Sequence, residues 1–313
     1  MYQGDLDKFI LFFAGKGSKR TMEEKIDTGC NLLFSQINER SHIKRIVKYL
    51  REHPEAENKL FVDSGAYSAF TQGKEIDIDE YIDFINDIGD VVFVFAELDF
   101  IGTGSAETEH MASEKSWENY LYMIDRVKPE YRDKIMPVFH ANESFDCLRR
   151  MLEYQFDDGE HIKYVGLGAL TEASGADRLE WLKICFQIIQ NSSNPDVMTH
   201  AFGCTDLTVL ENVPLTSADS TSAVILAAYG RILHDRKSYI VSSVSAHKKD
   251  YYKNYLSKKA QEQLAEEVKK FGFELSELEE TSGARELYNV RYMRDWELHY
   301  KYKGDNKAKV QLF

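Results

Sequence analysis

The sequence predicts an α/β fold, a TIM-type (β/α)8 barrel with a C-terminal helical extension. Three observations predict it. Eight short apolar runs recur along the chain. Amphipathic stretches of helix length separate most of them. Several runs are continuously apolar rather than alternating, which suits strands buried on both faces of a parallel sheet. Strands alternating with helices of this size build βαβ units, and eight units point to a closed barrel. A doubly wound open sheet is the competing arrangement.

The runs span 9–14, 31–35, 60–63, 91–98, 135–140, 164–167, 197–202 and 215–219. The clearest helices between them are 42–52, 79–88, 116–127, 144–154 and 177–190. Ser144 and Asp177 have N-cap chemistry, and Pro129 ends the third of these helices. The first two units are the least marked. Gly15, Lys16 and Gly17 follow the first run, but their spacing does not fit a phosphate-binding P-loop, so they read as a turn. A helix over 223–230 completes the eighth unit. The remainder, from about 245 to 313, reads as helices. The expected division is therefore a barrel catalytic domain over 1–244 and a helical extension over 245–313.

A chain of 313 residues fits one such barrel with a terminal extension. It has five prolines and no Gly/Ser-rich linker, so one main domain is expected. No run of 18 apolar residues marks a membrane span. The N-terminal MYQGDLDKFILFF lacks a basic leader and an apolar segment of signal-peptide length. The expected location is cytoplasmic. Cys30, Cys147, Cys185 and Cys204 are scattered, with no C-x-x-C pair to signal zinc or an iron–sulfur cluster. They read as buried free thiols in a reducing compartment.

The net charge of −13 argues against a general nucleic-acid binder, but the charge is uneven. Residues 1–246 carry 25 basic and 40 acidic side chains, whereas 247–313 carry 14 basic and 12 acidic. The stretch 246–259, AHKKDYYKNYLSKK, is basic and rich in tyrosine. Such a patch can hold phosphates and stack bases, although a solvated helix face accounts for it equally well.

In a barrel of this type the active site lies at the C-terminal ends of the strands. There the sequence places DSGAY at 63–67, ELD at 97–99, His140, GLGAL at 166–170, HAFG at 200–203 and ADST at 218–221. Asp63, Asp99 and Asp219 would thus converge on one rim. Clustered carboxylates repel, so at least one should be harder to ionise than usual. That suits acid/base work or a carboxylate nucleophile. The competing role for each is an N-cap on the following helix. No H-x-H or H-x-x-x-H pattern supports a metal site, and none is expected.

These strand ends carry a family likeness. Asp63-Ser64-Gly65-Ala66-Tyr67 resembles the D-S-G-G-(F/Y) motif of tRNA-guanine transglycosylases. Leu167-Gly168-Ala169-Leu170 resembles their I-G-G-L loop, Phe202-Gly203 their M-G, and Ala218-Asp219-Ser220 their F-D-C. The four pieces occur in order over residues 60–222, half of the chain. The spellings D-S-G-A-(F/Y)-S and A-D-S-T look more like the DNA-acting branch of phages and bacterial modification clusters. Those proteins insert 7-deazaguanine bases into DNA. This chain departs from the tRNA enzymes in lacking their C-x-C-x-x-C zinc motif. The departure weighs against a tRNA substrate, and no cofactor is expected. The second glycine of two motifs is replaced by Ala66 and Ala169.

The resemblance implies exchange of guanine in DNA for a 7-deazaguanine base, 7-cyano-7-deazaguanine or a relative, through a covalent glycosyl-aspartate. tRNA modification of the same kind and a non-catalytic base-binding subunit of a modification complex are the alternatives. By resemblance Asp219 is the nucleophile and Asp63 the general acid/base. Asp99 would accept from N1–H and the exocyclic amine of the base. Gly168 would donate to O6, with His140 and Ser64 nearby, and Tyr67 and Phe202 would sandwich the ring. Flipping a nucleotide needs phosphate contacts, and Arg231, Arg236, Lys237, Lys248, Lys249 and Lys253 are the candidates. The implied partners are DNA, a 7-deazaguanine base and other modification proteins. The compartment would be the host cytoplasm if the chain is phage-encoded.

Overall fold

Continuous apolar runs demand cover on both faces, and a closed parallel barrel supplies it. The computed structural model describes residues 8–168, 174–204 and 206–302. Its elements begin β1 (Ile10–Ala14), α1 (Lys19–Asp27), β2 (Asn31–Ser35), α2 (Gln36–Glu52), β3 (Leu60–Asp63), α3 (Ala66–Thr71) and α4 (Ile78–Ile88). There follow β4 (Val94–Ala96), α5 (Ala106–Arg126), β5 (Ile135–Met136), β6 (Val138–His140) and α6 (Phe145–Glu153). Next come β7 (Tyr164–Gly168), α7 (Gly175–Gln190), β8 (Met198–Ala201), α8 (Leu207–Leu210), β9 (Ser217–Ser220) and α9 (Ser222–Ala228). The described residues close with a hairpin, β10 (Arg231–His234) and β11 (Lys237–Ile240), and four α-helices. These are α10 (Tyr252–Tyr255), α11 (Lys258–Lys270), α12 (Leu275–Glu280) and α13 (Ser282–Leu298).

The strand order is β5-β4-β3-β2-β1-β9-β8-β7-β6. The run over 135–140 supplies both ends of that order. Pro137 lacks an N–H and divides the run into β5, which pairs with β4, and β6, which pairs with β7. One sequence run thus bridges the two ends, and the fold is the predicted TIM-type α/β barrel. Its interior is filled by Ile10, Phe12, Phe61, Val94, Ala96, Met136, Tyr164 and Met198. The sequence run 91–98 shortens to three strand residues, although the Glu97 N–H still donates to the Met136 carbonyl at 3.0 Å.

The chain forms two compact units. The first holds residues 1–12, 31–219 and 301–313, and the second holds 13–30 and 220–300. The division falls at Asp219 and Ser220, whereas the sequence places a boundary after 244. In the second unit the hairpin joins the core that the helices build. Ile232, Ile240 and Val241 pack there with Leu264, Val268, Leu278, Leu287 and Tyr288. That unit also holds a buried Lys25, whose Nζ donates to the Gly15 carbonyl at 2.8 Å. The Gly15–Gly17 segment turns through two left-handed glycines.

Local chemistry explains the helix ends. Ser144 caps α6 by accepting from the Asp146 N–H. The cap of α7 is Ser174, not Asp177. Ser174 Oγ accepts from the Asp177 N–H, and Asp177 sits in the first turn, where an acid offsets the helix dipole. No helix among the described residues is long and apolar enough to cross a membrane.

Candidate active site

β3 delivers Asp63 to the rim, and the chain must then turn sharply. Gly65 makes the turn with φ of 82°, and a Cβ there would lie 2.5 Å from Ser35 Oγ, so only glycine fits. The Gly65 N–H donates to Asp63 Oδ2 at 3.0 Å, which fixes one carboxylate oxygen. Burial pushes the Asp63 carboxyl up, and the neighbouring charges of Asp99 and Asp219 add to it, reaching about 7. At neutral pH Asp63 is therefore near its midpoint, where a group both gives and takes protons well. The raised affinity expected for a carboxylate cluster resides in Asp63.

Asp99 follows β4. Its Oδ2 lies 3.2 Å from Nε2 of His140, and its Oδ1 takes a long 3.5 Å hydrogen bond from Ser64 Oγ. The other ring nitrogen of His140, Nδ1, lies 3.1 Å from Glu143 Oε1. Burial works to lower His140, but hydrogen bonds and charge from Asp99 and Glu143 outweigh it and raise it to about 10. His140 is thus an imidazolium held between two carboxylates. Both ring nitrogens are engaged, so a base could touch one only by displacing a carboxylate. Gly168 makes room for this ring, because a Cβ there would meet His140 Cδ2 at 2.7 Å. Ala169 and Leu170, the rest of that motif, lie outside the described residues.

Glu97 lies under Asp99 and is fully buried. Its Oε1 accepts from the Val138 N–H at 2.8 Å, while Oε2 has no partner among the described residues. Burial drives it well above the usual carboxylate range. Tyr81 on α4 reaches β3 and β4, with its hydroxyl within 3.4 Å of the Val62 carbonyl. Its hydroxyl donates to the Ala96 carbonyl at 2.9 Å, and burial beside Asp63 and Asp99 keeps it protonated.

Asp219 closes the cluster from β9. The register pairs His200 with Ser217, and Asp219 lies two residues on, on the same face. Asp219 Oδ1 accepts from the Gly203 N–H at 2.7 Å and lies 3.3 Å from His200 Nε2. His200 is fully buried, ringed by Phe12, Phe61 and Phe202 at 5.9, 4.8 and 4.6 Å. None of the three aspartates caps the helix that follows it. Gly65, Ser105 and Thr221 occupy those positions.

The aromatic candidates differ in exposure. Tyr67 on α3 is 66% exposed. Phe202 is half-buried, packed edge-on against His200 and Phe61. A Cβ at Gly166 would meet its ring at 2.8 Å. Phe100, beside Asp99, is also exposed, and sequence reasoning passed over it. It passed over Glu143, Tyr164 and Ser217 as well, and gave Glu97 no role.

The six basic candidates all lie in the second unit. Lys237, Lys248 and Lys249 are exposed. Arg231 Nε donates to Ser238 Oγ at 3.1 Å, and Arg236 occupies the hairpin turn. Lys253 is committed to an ion pair with Glu279 at 2.6 Å. The four cysteines are buried thiols. Among the described residues no group of three or more His, Cys, Asp or Glu is placed to hold a metal ion.

No family model matches the chain, and no curated protein is similar to it. Among solved structures it is similar to the YdjI aldolase from Escherichia coli K12, at 9% identity and a TM-score of 0.45. The match covers 96% of this chain and 94% of that one. A likeness this distant says nothing of the chemistry at Asp63, Asp99 and Asp219.

Proposed function

We propose that the protein exchanges guanine in DNA for a 7-deazaguanine base through a covalent glycosyl intermediate on Asp219. The observation that carries this reading is the division of labour among the carboxylates. Asp63 is tuned to about 7, whereas Asp219 is held, among the described residues, by donors on one oxygen. A proton-transfer group beside an oriented carboxylate is what a double displacement at an anomeric carbon needs.

In the first step Asp219 forms a bond to C1′ of the target nucleotide. The bond from C1′ to N9 breaks, its electron pair leaves with guanine, and Asp63 supplies the proton. In the second step the incoming base gives its N9 proton to Asp63. Its nitrogen attacks C1′, and Asp219 departs as a carboxylate. Asp99 accepts from the N1–H and amino group of either base, which disfavours adenine. His140 holds Asp99 from behind. Tyr67 and Phe100 offer exposed ring faces for stacking. The target nucleotide has to be flipped or single-stranded to reach the rim.

The motif likeness at Asp63–Tyr67, Leu167–Gly168, Phe202–Gly203 and Ala218–Ser220 supports the same chemistry. The missing cysteine cluster favours DNA over tRNA as acceptor. The test is incorporation of labelled guanine into duplex DNA, single-stranded DNA and bulk tRNA, side by side. Label in DNA that Asp219→Asn loses supports the reading. Label in tRNA alone moves the acceptor to RNA. Tight binding of a 7-deazaguanine with no label in any of the three makes the protein a base-binding subunit.

A further inference from the structure

Asp219 is the end of a buried chain of hydrogen bonds. Tyr164 hydroxyl and Ser217 Oγ are in hydrogen-bond contact, and Ser217 Oγ lies 2.6 Å from His200 Nδ1. His200 Nε2 then reaches Asp219 Oδ1. Tyr164 is 2% exposed, and Ser217 and His200 are fully buried, so water does not compete for these groups.

The chemistry of the four groups sets the direction of every proton. The Asp219 carboxylate only accepts, so His200 donates from Nε2. A neutral ring with a proton on Nε2 must accept at Nδ1, so Ser217 donates there. Ser217 Oγ then accepts from Tyr164, which burial keeps protonated. The phenyl rings of Phe12, Phe61 and Phe202 surround the imidazole with apolar surface and hold its plane. Both donors to Asp219 fall on Oδ1, and among the described residues Oδ2 takes no hydrogen bond.

We infer that His200, its tautomer fixed by Ser217 and Tyr164, is the positioning residue that anchors Asp219 Oδ1 and leaves Oδ2 as the attacking oxygen. His200 touches neither base nor sugar. It acts through Asp219, as the outer partners of a metal ligand or a catalytic histidine do. The inference rests on the nucleophilic role proposed for Asp219 and adds which oxygen attacks and what holds it. Losing one donor to a reacting carboxylate costs rate rather than ligand affinity.

The test compares His200→Phe, His200→Gln and Ser217→Ala with the wild-type chain. Glutamine keeps an N–H donor near the position of Nε2, and phenylalanine keeps only ring volume. His200→Phe should lower kcat for guanine exchange by about 100-fold with KM for the free base unchanged. His200→Gln should recover at least about tenfold of that loss, and Ser217→Ala should fall between. Nitrogen-15 shifts of the His200 ring provide a readout independent of turnover. They should show a neutral Nε2–H ring in the wild type and a mixture of tautomers in Ser217→Ala. Wild-type kcat in His200→Phe would overturn the inference, as would equal losses in both His200 variants with KM rising in step. A ring protonated at Nδ1 would also overturn it. No exchange by the wild type, with the Nε2–H ring intact, would instead refute the nucleophilic reading and leave the buried chain as a structural device.

Discussion

Nε2 of His140 lies 3.2 Å from Oδ2 of Asp99, and Nδ1 of the same ring lies 3.1 Å from Oε1 of Glu143. A partly buried imidazole between two carboxylates is stable as a cation. His140 therefore titrates near 10 in the folded chain and near 6.5 in the unfolded one. A raised histidine gives its full stabilisation below the unfolded value and loses it as pH rises through the folded value. Urea denaturation of the wild type should thus show stability falling by at least about 1 kcal/mol between roughly pH 6.5 and 10. His140→Gln should lack that slope. A variant with the wild-type slope would place the titration elsewhere.

Asp63 behaves in the opposite part of the pH range. Its folded value of about 7 exceeds the ordinary carboxylate value, so ionising it costs stability as pH rises from about 4 to 7. For activity, the protonated form serves departure of the first base. Exchange should therefore weaken above about pH 7. Asp63→Asn should lower kcat by about 10²- to 10⁴-fold and flatten the profile. A full-rate asparagine variant would remove Asp63 from the chemistry.

Two glycines at the rim are there for space. Gly65 combines φ of 82° with a Cβ position 2.5 Å from Ser35 Oγ. Gly65→Ala should cost about 1–3 kcal/mol in urea denaturation. At Gly168 the added methyl meets the His140 ring rather than the backbone. Gly168→Ala should therefore perturb His140 and flatten the alkaline part of the stability profile. An alanine variant that keeps the wild-type slope would show that the ring has room to spare.

How far the sequence made these features visible depended on what each rested on. β2 and β3 were legible to the residue, because their continuous apolar runs end at polar rim positions. The run over 135–140 was legible as a strand, but its division at Pro137 was not, since that depends on which neighbours each half pairs with. The hairpin β10–β11 was missed. Its turn uses Asp235 and Arg236 at φ of 43° and 60°, without the Asn-Gly or Asp-Gly pair that marks such turns. Asp63, Asp99 and Asp219 stood out as acids at strand ends. His200 stood at a strand end too, in HAFG, but its local pattern alone assigned it no role. Its partnership with Ser217 and Asp219 follows from register between two strands 17 residues apart, which one strand's pattern does not contain.

DNA binding offers a check on the basic stretch of the second unit. Lys248 and Lys249 are exposed, whereas Lys253 is held by Glu279. Replacing Lys248 and Lys249 by Glu should weaken DNA binding across sequences. The slope of log K against log salt should fall by about 0.9 for each phosphate that the variant no longer neutralises. Lys253→Ala should mainly lower stability. An unchanged slope in the Lys248/Lys249 variant would move the phosphate-binding role off this stretch.

The central claim is a covalent bond between Asp219 and the target sugar. The most direct measurement is the mass of the protein after denaturing a reaction with a short guanine-containing DNA strand and no incoming base. The account predicts a wild-type species heavier by the strand less one guanine, with the added mass mapping to the peptide that contains Asp219. It predicts no such species in Asp219→Asn. An adduct of the same mass in the asparagine variant, or one mapped to Asp63 or Asp99, would contradict it.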